Sequence, residues 1–176
     1  MNYMFMPLKR YADFSGRSRR LEFWLWQLFN LIVVGVLCTI IMVAVFGSIA
    51  DLAHRAASGE FANYVPPEGS AAGYVELNGE KYAVPPELVA QAIMGSLGIP
   101  AALLGLWWLA IFIPNLAVIV RRLHDQGKSG WWFFIGFIPL IGGIWLLILY
   151  LTDGTPGPNQ YGPDPKGRGA TAAPFA

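Results

Sequence analysis

Phe23-Trp24-Leu25-Trp26-Gln27-Leu28-Phe29-Asn30-Leu31-Ile32-Val33-Val34-Gly35-Val36-Leu37-Cys38-Thr39-Ile40-Ile41-Met42-Val43-Ala44-Val45-Phe46-Gly47-Ser48-Ile49-Ala50 is a run of 28 residues without one Asp, Glu, Lys, Arg or His. A helix of a soluble bundle keeps a polar face toward water, and this run has none. Lipid tolerates no unpaired backbone groups, so such a run must be helical in a bilayer. Crossing the hydrocarbon core takes about 20 apolar residues. At about 1.5 Å per residue the stretch from Phe23 to Ile49 reaches roughly 40 Å, more than the core's roughly 30 Å. It is expected to tilt or to extend into the headgroups. Phe23, Trp24 and Trp26 then stand at the entry interface, where aromatic rings are favoured. Ser48-Ile49-Ala50 resembles a signal-peptide cleavage site, but the apolar stretch is far longer than the roughly 7–15 residues of a signal core. Cys38 reads as a small core residue rather than a redox or lipidated thiol.

Two further runs share this character. Leu88 to Val120 is uncharged over 33 residues and Ser129 to Thr152 over 24. In the second run, Gly95, Gly98 and Pro100 look like a break, because proline cannot donate to the helix ladder. The expectation is a short interfacial helix from Glu87 to Ser96, started by Pro86 in its first turn, then a span from Leu97 to Val120 kinked at Pro114. One continuous kinked helix is the alternative. Gly98, Ala102 and Gly105 share a face on which another helix could pack closely. In the third run, Trp131 to Leu151 is expected to form a span kinked at Pro139. The alternative is a re-entrant hairpin turning at Pro139 to Gly143, allowed only where protein covers its backbone. The expected fold is thus an all-α membrane protein of three transmembrane helices kinked at prolines, with a small extracytoplasmic β-hairpin in the first loop.

Composition agrees. The 176 residues are 55% hydrophobic and only 13% charged, with a mean hydropathy of +0.48, whereas soluble domains carry about 25% charged residues. Disorder needs low hydrophobicity, a disulfide scaffold needs more than the single cysteine, and a net charge of +1 does not suit a nucleic-acid binder. Charge also orients the chain. Met1 to Glu22 carries Lys9, Arg10, Arg17, Arg19 and Arg20 against Asp13 and Glu22, and Arg121 to Lys128 is also basic. The 51–87 loop carries Arg55 and Lys81 against Asp51, Glu60, Glu68, Glu76, Glu80 and Glu87. Lys and Arg stay on the cytoplasmic side, so the amino terminus and the 121–128 loop are expected inside and the 51–87 loop outside. With three spans the neutral carboxyl-terminal tail falls outside the cell. An internal tail would instead join it to the arginine-rich face.

Three regions follow: a basic cytoplasmic segment 1–22, a membrane domain 23–152 with the external loop 51–87, and a Gly/Pro-rich tail 153–176. Within the loop, Tyr74-Val75-Glu76-Leu77 and Glu80-Lys81-Tyr82-Ala83-Val84 flank Asn78-Gly79, a pair suited to a two-residue type I′ turn. That register sets Glu76 opposite Lys81 and Val75 opposite Tyr82, favourable cross-strand pairs. Pro66-Pro67-Glu68-Gly69-Ser70 and Pro85-Pro86 punctuate the loop. The tail is dense in turn formers and is expected to be ordered only where it packs, with disorder from Lys166 onward.

The polar residues of interest gather at one interface. Arg17, Arg19, Arg20 and Glu22 precede the first span, and Arg121, Arg122, His124 and Asp125 follow the second. Arg121 and Arg122 can each reach Asp125 along a helix and sit at a carboxyl end that favours cations. Gly127 can end that helix and Ser129 cap the next, with Trp131 and Trp132 at the interface. These ten side chains are candidates for binding an anionic lipid headgroup or a partner protein, although anchoring the topology and ordering loops would use the same residues. His124 and Asp125 could each donate one metal ligand, but nothing completes a set. No catalytic, cofactor or metal site is expected.

Three blocks then carry a family resemblance: Phe14-Ser15-Gly16-Arg17-Ser18-Arg19-Arg20-Leu21-Glu22-Phe23-Trp24; Arg121-Arg122-Leu123-His124-Asp125-Gln126-Gly127-Lys128-Ser129-Gly130-Trp131-Trp132; and Gly154-Thr155-Pro156-Gly157 with Asn159-Gln160-Tyr161-Gly162-Pro163-Asp164-Pro165. The chain resembles the domain of unknown function 805 family, the YhaH-like bacterial inner-membrane proteins, over roughly residues 8 to 165. The 51–87 loop looks longer than that family's usual connector. The resemblance implies a multi-pass plasma-membrane protein and no particular chemistry. The function expected is that of a non-enzymatic envelope scaffold or accessory protein with a cationic lipid- or partner-binding cytoplasmic face. Its expected partners are membrane lipids and a second copy or another membrane protein, not nucleic acid. A small oligomeric transporter or channel is the alternative, motivated by the proline- and glycine-broken runs. An intramembrane enzyme, which would have to rely on His124 and Asp125, ranks third.

Overall fold

The computed structural model describes residues 3–66, 73–77 and 79–168. After a 3₁₀ turn and the short helix α1 (Met6–Lys9), two long helices dominate: α2 (Arg20–Ala57) and α3 (Pro86–Asp125). Strands β1 (Gly73–Leu77) and β2 (Glu80–Val84) lie between them, and a 3₁₀ segment (Gly130–Phe137) and helix α4 (Ile141–Leu151) follow. Both long helices are apolar and long enough to cross a membrane. The chain resolves into two compact units, one of residues 33–107 and one joining the residues up to Ile32 with those from Trp108 onward; α2 and α3 each run through both.

α3 is one continuous helix, so the separate interfacial helix expected at Glu87–Ser96 does not form. Pro100 and Pro114 each cost the ladder one hydrogen bond, a loss that apolar helices tolerate when neighbouring groups serve the freed carbonyl. Pro86 is the first helical residue and Glu87 lies in the first turn, where a missing N–H costs nothing and a carboxylate meets the positive helix end. Gly98 and Gly105 have open space where a side chain would stand, so among the described residues nothing packs on that small-residue face.

In the 33–107 unit, β1 and β2 pair antiparallel, with Glu76 opposite Lys81 and Val75 opposite Tyr82. Asn78, the first residue of the expected turn, lies outside the described residues, as does Pro67 to Ser70. A two-stranded ribbon is marginal alone in water. Here Val84 is buried with Leu52 and Ala56, and Phe61, Tyr82, Leu88, Val89 and Ala92 pack against them. The ribbon thus rests on the end of α2 and the start of α3. Arg55 Nε donates to Glu60 Oε2 at 2.8 Å just beyond α2.

In the other unit, α3 ends as the glycine permits. Gly127 takes a φ of 70°, its N–H donates to His124 O, and Lys128 N–H donates to Leu123 O, both at 3.0 Å. These two bonds close a Schellman motif. The Ser129 hydroxyl accepts from Trp131 N–H and starts the 3₁₀ segment.

The third uncharged run does not form one continuous helix. Its 3₁₀ segment of 8 residues and its helix of 11 are each about 16 Å long, half of the roughly 30 Å hydrocarbon core. They fold back on each other at Pro139–Leu140–Ile141. Ile141 N–H donates to Pro139 O at 2.7 Å and Leu140 sits at φ 65°, ψ −53°, which is the rare γ-turn of positive φ. The two arms touch because Gly142 lies against the Ile135 carbonyl; a Cβ there would stand 1.9 Å from that oxygen. The run is therefore a helical hairpin, with Leu140 87% exposed at its tip. Its two ends return to the same place, and the tail that follows meets the amino-terminal segment.

Candidate functional site

The site forms where the start of α2, the end of α3 and the tail meet. Glycine at 16 breaks the chain before α2 with a φ of 77°, and Ser18 N–H then donates to Arg121 O at 3.1 Å. That bond ties the entry of α2 to the exit of α3. Around it lies a buried network of charges. Asp125 is its hub: Oδ1 accepts from Arg17 Nε at 2.9 Å and Oδ2 from Arg122 Nη1 at 2.6 Å. Arg17 also donates to the Thr155 and Gly157 carbonyls at 2.6 and 2.7 Å and to Asp125 O at 3.2 Å. Arg122 donates to the Tyr150 carbonyl at 3.3 Å and to that of Thr152. The side chains of Arg17, Arg122 and Asp125 are at most 3% exposed. Buried charges persist only when paired and hydrogen-bonded, and these are.

The tail is held from both sides. Asp125 O accepts from Thr155 N–H at 2.9 Å, and Asn159 Nδ2 donates to His124 O at 2.9 Å. The His124 ring stacks on Tyr161, with centroids 3.8 Å apart and planes 3° apart, and its Nδ1 lies 3.3 Å from Gly16 O. Gly154 makes the close approach possible: a Cβ there would stand 2.0 Å from Asp125 Oδ2. Farther along, Arg168 Nε donates to Asp164 Oδ2 at 2.8 Å, and Arg17 Nη2 lies 3.9 Å from Asp164 Oδ1. Burial alone would raise the Asp164 carboxyl. The hydrogen bonds from Arg168 and the Lys166 N–H, with the charges of Arg168 and Arg17, outweigh it and hold the group at about 2. The Lys166 ammonium, bonded to Asp153, holds that carboxyl below its usual range, helped by the charges of Arg20 and Arg168.

The described tail lies against Arg17 and Arg20, just after Thr152 meets Arg122; the turn at Pro139–Ile141 brings it there. Lys166 and Arg168, expected to be disordered, are bonded to Asp153 and Asp164.

The ten candidate residues divide into groups. Arg17, Arg122 and Asp125 form the hub. Glu22 and Arg121 form a second buried pair, with Glu22 Oε1 3.5 Å from Arg121 Nη2, so Arg121 turns from Asp125 to α2. His124 faces Tyr161 and Gly16 rather than joining Asp125. Arg19 donates to the Pro165 carbonyl, and Arg20 pairs with Asp153 at 3.1 Å; both keep partly exposed side chains. Trp131 and Trp132 are outside the network and exposed, with Lys128 Nζ 4.5 Å above the Trp132 ring. Asp153, Thr155, Asn159, Tyr161, Asp164, Lys166 and Arg168 were not among the candidates; the third motif block was the signal that could have found most of them. Among the described residues no three His, Cys, Asp or Glu side chains converge as a metal set.

The three sequence blocks thus meet at one site. The family described as "Protein of unknown function (DUF805)" matches residues 11–163, from just before the first block to two residues short of the end of the third. The chain belongs to the DUF805 family. It is similar to two inner membrane proteins of Escherichia coli strain K12. YhaI is 33% identical over 166 residues, covering 94% of this chain and 97% of YhaI. YhaH is 30% identical over 166 residues, covering 94% of this chain and 98% of YhaH. No solved structure matches the chain significantly. With its two long apolar helices, this DUF805 chain is a membrane protein.

Proposed function

We propose that the chain is a non-enzymatic scaffold or accessory protein of the bacterial inner membrane, made of two spans and one re-entrant hairpin. Both ends of the described chain face the cytoplasm, and the β1–β2 ribbon lies outside the cell. The observation that carries this reading is the clamp of Arg17, Arg122 and Asp125 on the tail. Its buried charges pair with one another and with the carbonyls of Tyr150, Thr152, Thr155 and Gly157, which suits a device that fixes shape rather than one that turns over substrate. The positive-inside bias of the segments around the clamp supports the orientation. The cations left partly exposed, Arg19, Arg20 and Lys166, form a basic face toward anionic headgroups, and the exposed apolar surface of the helices offers room for a second copy or another membrane protein. The test is the lipid that travels with the protein. Purified from a bilayer of mixed phosphatidylglycerol and phosphatidylethanolamine, it should carry a shell enriched in the anionic lipid. A shell of bulk composition would contradict the basic-face reading.

A small oligomeric transporter or channel is the second reading, favoured by one observation. Glu22, Trp26 and Asn30 recur every four residues along α2, and Trp26 Nε1 and Asn30 Oδ1 are buried without a protein hydrogen-bond partner, as is Arg121 Nη1. Buried polar atoms of this kind are usually served by water. A hydrated seam starting at the clamp would suit a conduction path. Solute or ion flux through liposomes containing the protein, lost in an Asn30→Leu variant, would favour this reading over the scaffold.

A further inference from the structure

We infer that the groove between the start of α2, the end of α4 and the tail binds one anionic phospholipid, its phosphate among Arg19, Arg20 and Lys166 and its acyl chain along Leu21, Trp24 and Leu151. The inference rests on the basic-face reading above and narrows it to one site. The groove has a volume of about 580 Å³, and those six residues line it. Its charge is unbalanced. Asp153 is shared by Arg20 at 3.1 Å, by Lys166, and by Arg168 at 3.5 Å. Arg168 has a carboxylate of its own in Asp164. Arg19 has no carboxylate partner among the described residues; it donates to the Pro165 carbonyl, and its guanidinium lies 6.0 Å from the Tyr3 ring centroid. Arg19, Arg20 and Lys166 therefore face the groove with Asp153 shared by the last two, and the excess is positive.

The cations are also held in place before any ligand arrives. The Pro165 carbonyl fixes Arg19, and the Leu151 carbonyl accepts from Arg20 Nη1 at 3.0 Å. Ordering already spent in the free protein is not lost again on binding. Guanidinium groups match the geometry of phosphate oxygens, which adds strong charge-assisted hydrogen bonds. A free anion would need only the cations. Beside them, however, Leu21, Trp24 and Leu151 leave apolar surface uncovered. Charge above and apolar surface below is the pattern of an interfacial lipid, and tryptophan favours that depth. Both parts of an amphiphile are matched, which commits the site to a phospholipid rather than inorganic phosphate.

The test is native mass spectrometry of the full-length protein in detergent, titrated with short-chain phosphatidylglycerol or phosphatidylcholine. The wild type is expected to retain one phosphatidylglycerol selectively. Each basic residue at an anionic surface is worth about a five-fold change in binding, so Arg19→Gln, Arg20→Gln and Lys166→Gln together should lower retention by roughly 10²-fold. Asp153→Asn guards against a variant that merely loosens the tail. It removes the shared counter-charge and should raise retention; a loss would mean that the cations only hold the tail, and would overturn the site. Trp24→Ala should weaken retention several-fold, and unchanged retention would overturn the acyl-chain assignment. Full displacement of the lipid by millimolar inorganic phosphate would mark a free-anion site and overturn the lipid assignment. If the wild type prefers phosphatidylglycerol and the triple variant does so equally, this site is wrong while the basic-face reading stands. Equal retention of both lipids by the wild type sinks both.

Discussion

Asp125→Ala is the sharpest perturbation of the clamp. It deletes the acceptors of Arg17 Nε at 2.9 Å and Arg122 Nη1 at 2.6 Å and leaves two guanidinium groups buried. Removing one partner of a buried ion pair costs about 3–5 kcal/mol, because the other charge remains desolvated and uncompensated. Two cations are left here, but neither is bare. Arg17 keeps the carbonyls of Thr155 and Gly157, and Arg122 keeps those of Tyr150 and Thr152. The loss is therefore expected to stay at about 3–5 kcal/mol rather than to double. At about 1.4 kcal/mol per tenfold, that moves the folding equilibrium by two to three and a half orders of magnitude. Asp125→Asn keeps one acceptor oxygen and loses the charge, so it should cost less, about 1.5–3 kcal/mol, the range for a charge-assisted hydrogen bond. Unfolding in mixed detergent micelles, followed by tryptophan fluorescence, reads both, since Trp26 is fully buried beside the clamp. Limited proteolysis of the 153–168 segment gives a second readout. Stability within about 0.5 kcal/mol of wild type for Asp125→Ala, the scatter of an ordinary surface substitution, together with an unchanged cleavage pattern, would refute the reasoning.

Three other changes probe separate parts of the account. Gly154→Ala places a Cβ 2.0 Å from Asp125 Oδ2; it should release the tail to protease while leaving the helix content measured by circular dichroism unchanged. Leu140→Gly removes a side chain held at φ 65°; it should stabilise the hairpin by about 1 kcal/mol, the penalty an L-residue carries there, and a destabilisation in the same detergent titration would mean that the γ-turn is not formed. Acid should loosen the tail in a defined window. Asp164, held at about 2 against an ordinary 3.8, favours its ionised form in the folded state, so its contribution is complete above pH 4 and disappears as pH falls through 2. The anisotropy of a probe on Lys166→Cys in a Cys38→Ser background should drop between pH 4 and 2 and stay flat from 8 to 5.

The two long apolar helices were legible in the sequence because lipid imposes a rule that reads directly in residue type: long uncharged runs must be helices. The strand pair was legible for a local reason too, since Asn78-Gly79 between alternating residues fixes a register. The turn inside the third run was not legible as the expected form, because length and hydropathy do not record where a chain reverses. That reversal hangs on a γ-turn at Leu140 and on Gly142 meeting the Ile135 carbonyl, both contacts in three dimensions. The packing of the tail against Arg17 depends on the same turn. The arginines were recognised as a group, but Arg121 could reach either Glu22 or Asp125 on spacing alone, and only the packing of α2 against α3 chose Glu22. Thr155, Gly157 and Asn159 act through backbone carbonyls, a side-chain amide and a hydroxyl, so no charge pattern announced them.

The central claim is that the third apolar run turns back and delivers the tail to the face that holds Arg17. Lys166→Cys in the Cys38→Ser background, treated with a membrane-impermeant maleimide on inner-membrane spheroplasts before and after permeabilisation, tests it directly. The account predicts labelling only after permeabilisation, matching a cysteine placed at Lys9 near the amino terminus. Labelling of position 166 in sealed spheroplasts, with position 9 protected, would contradict it.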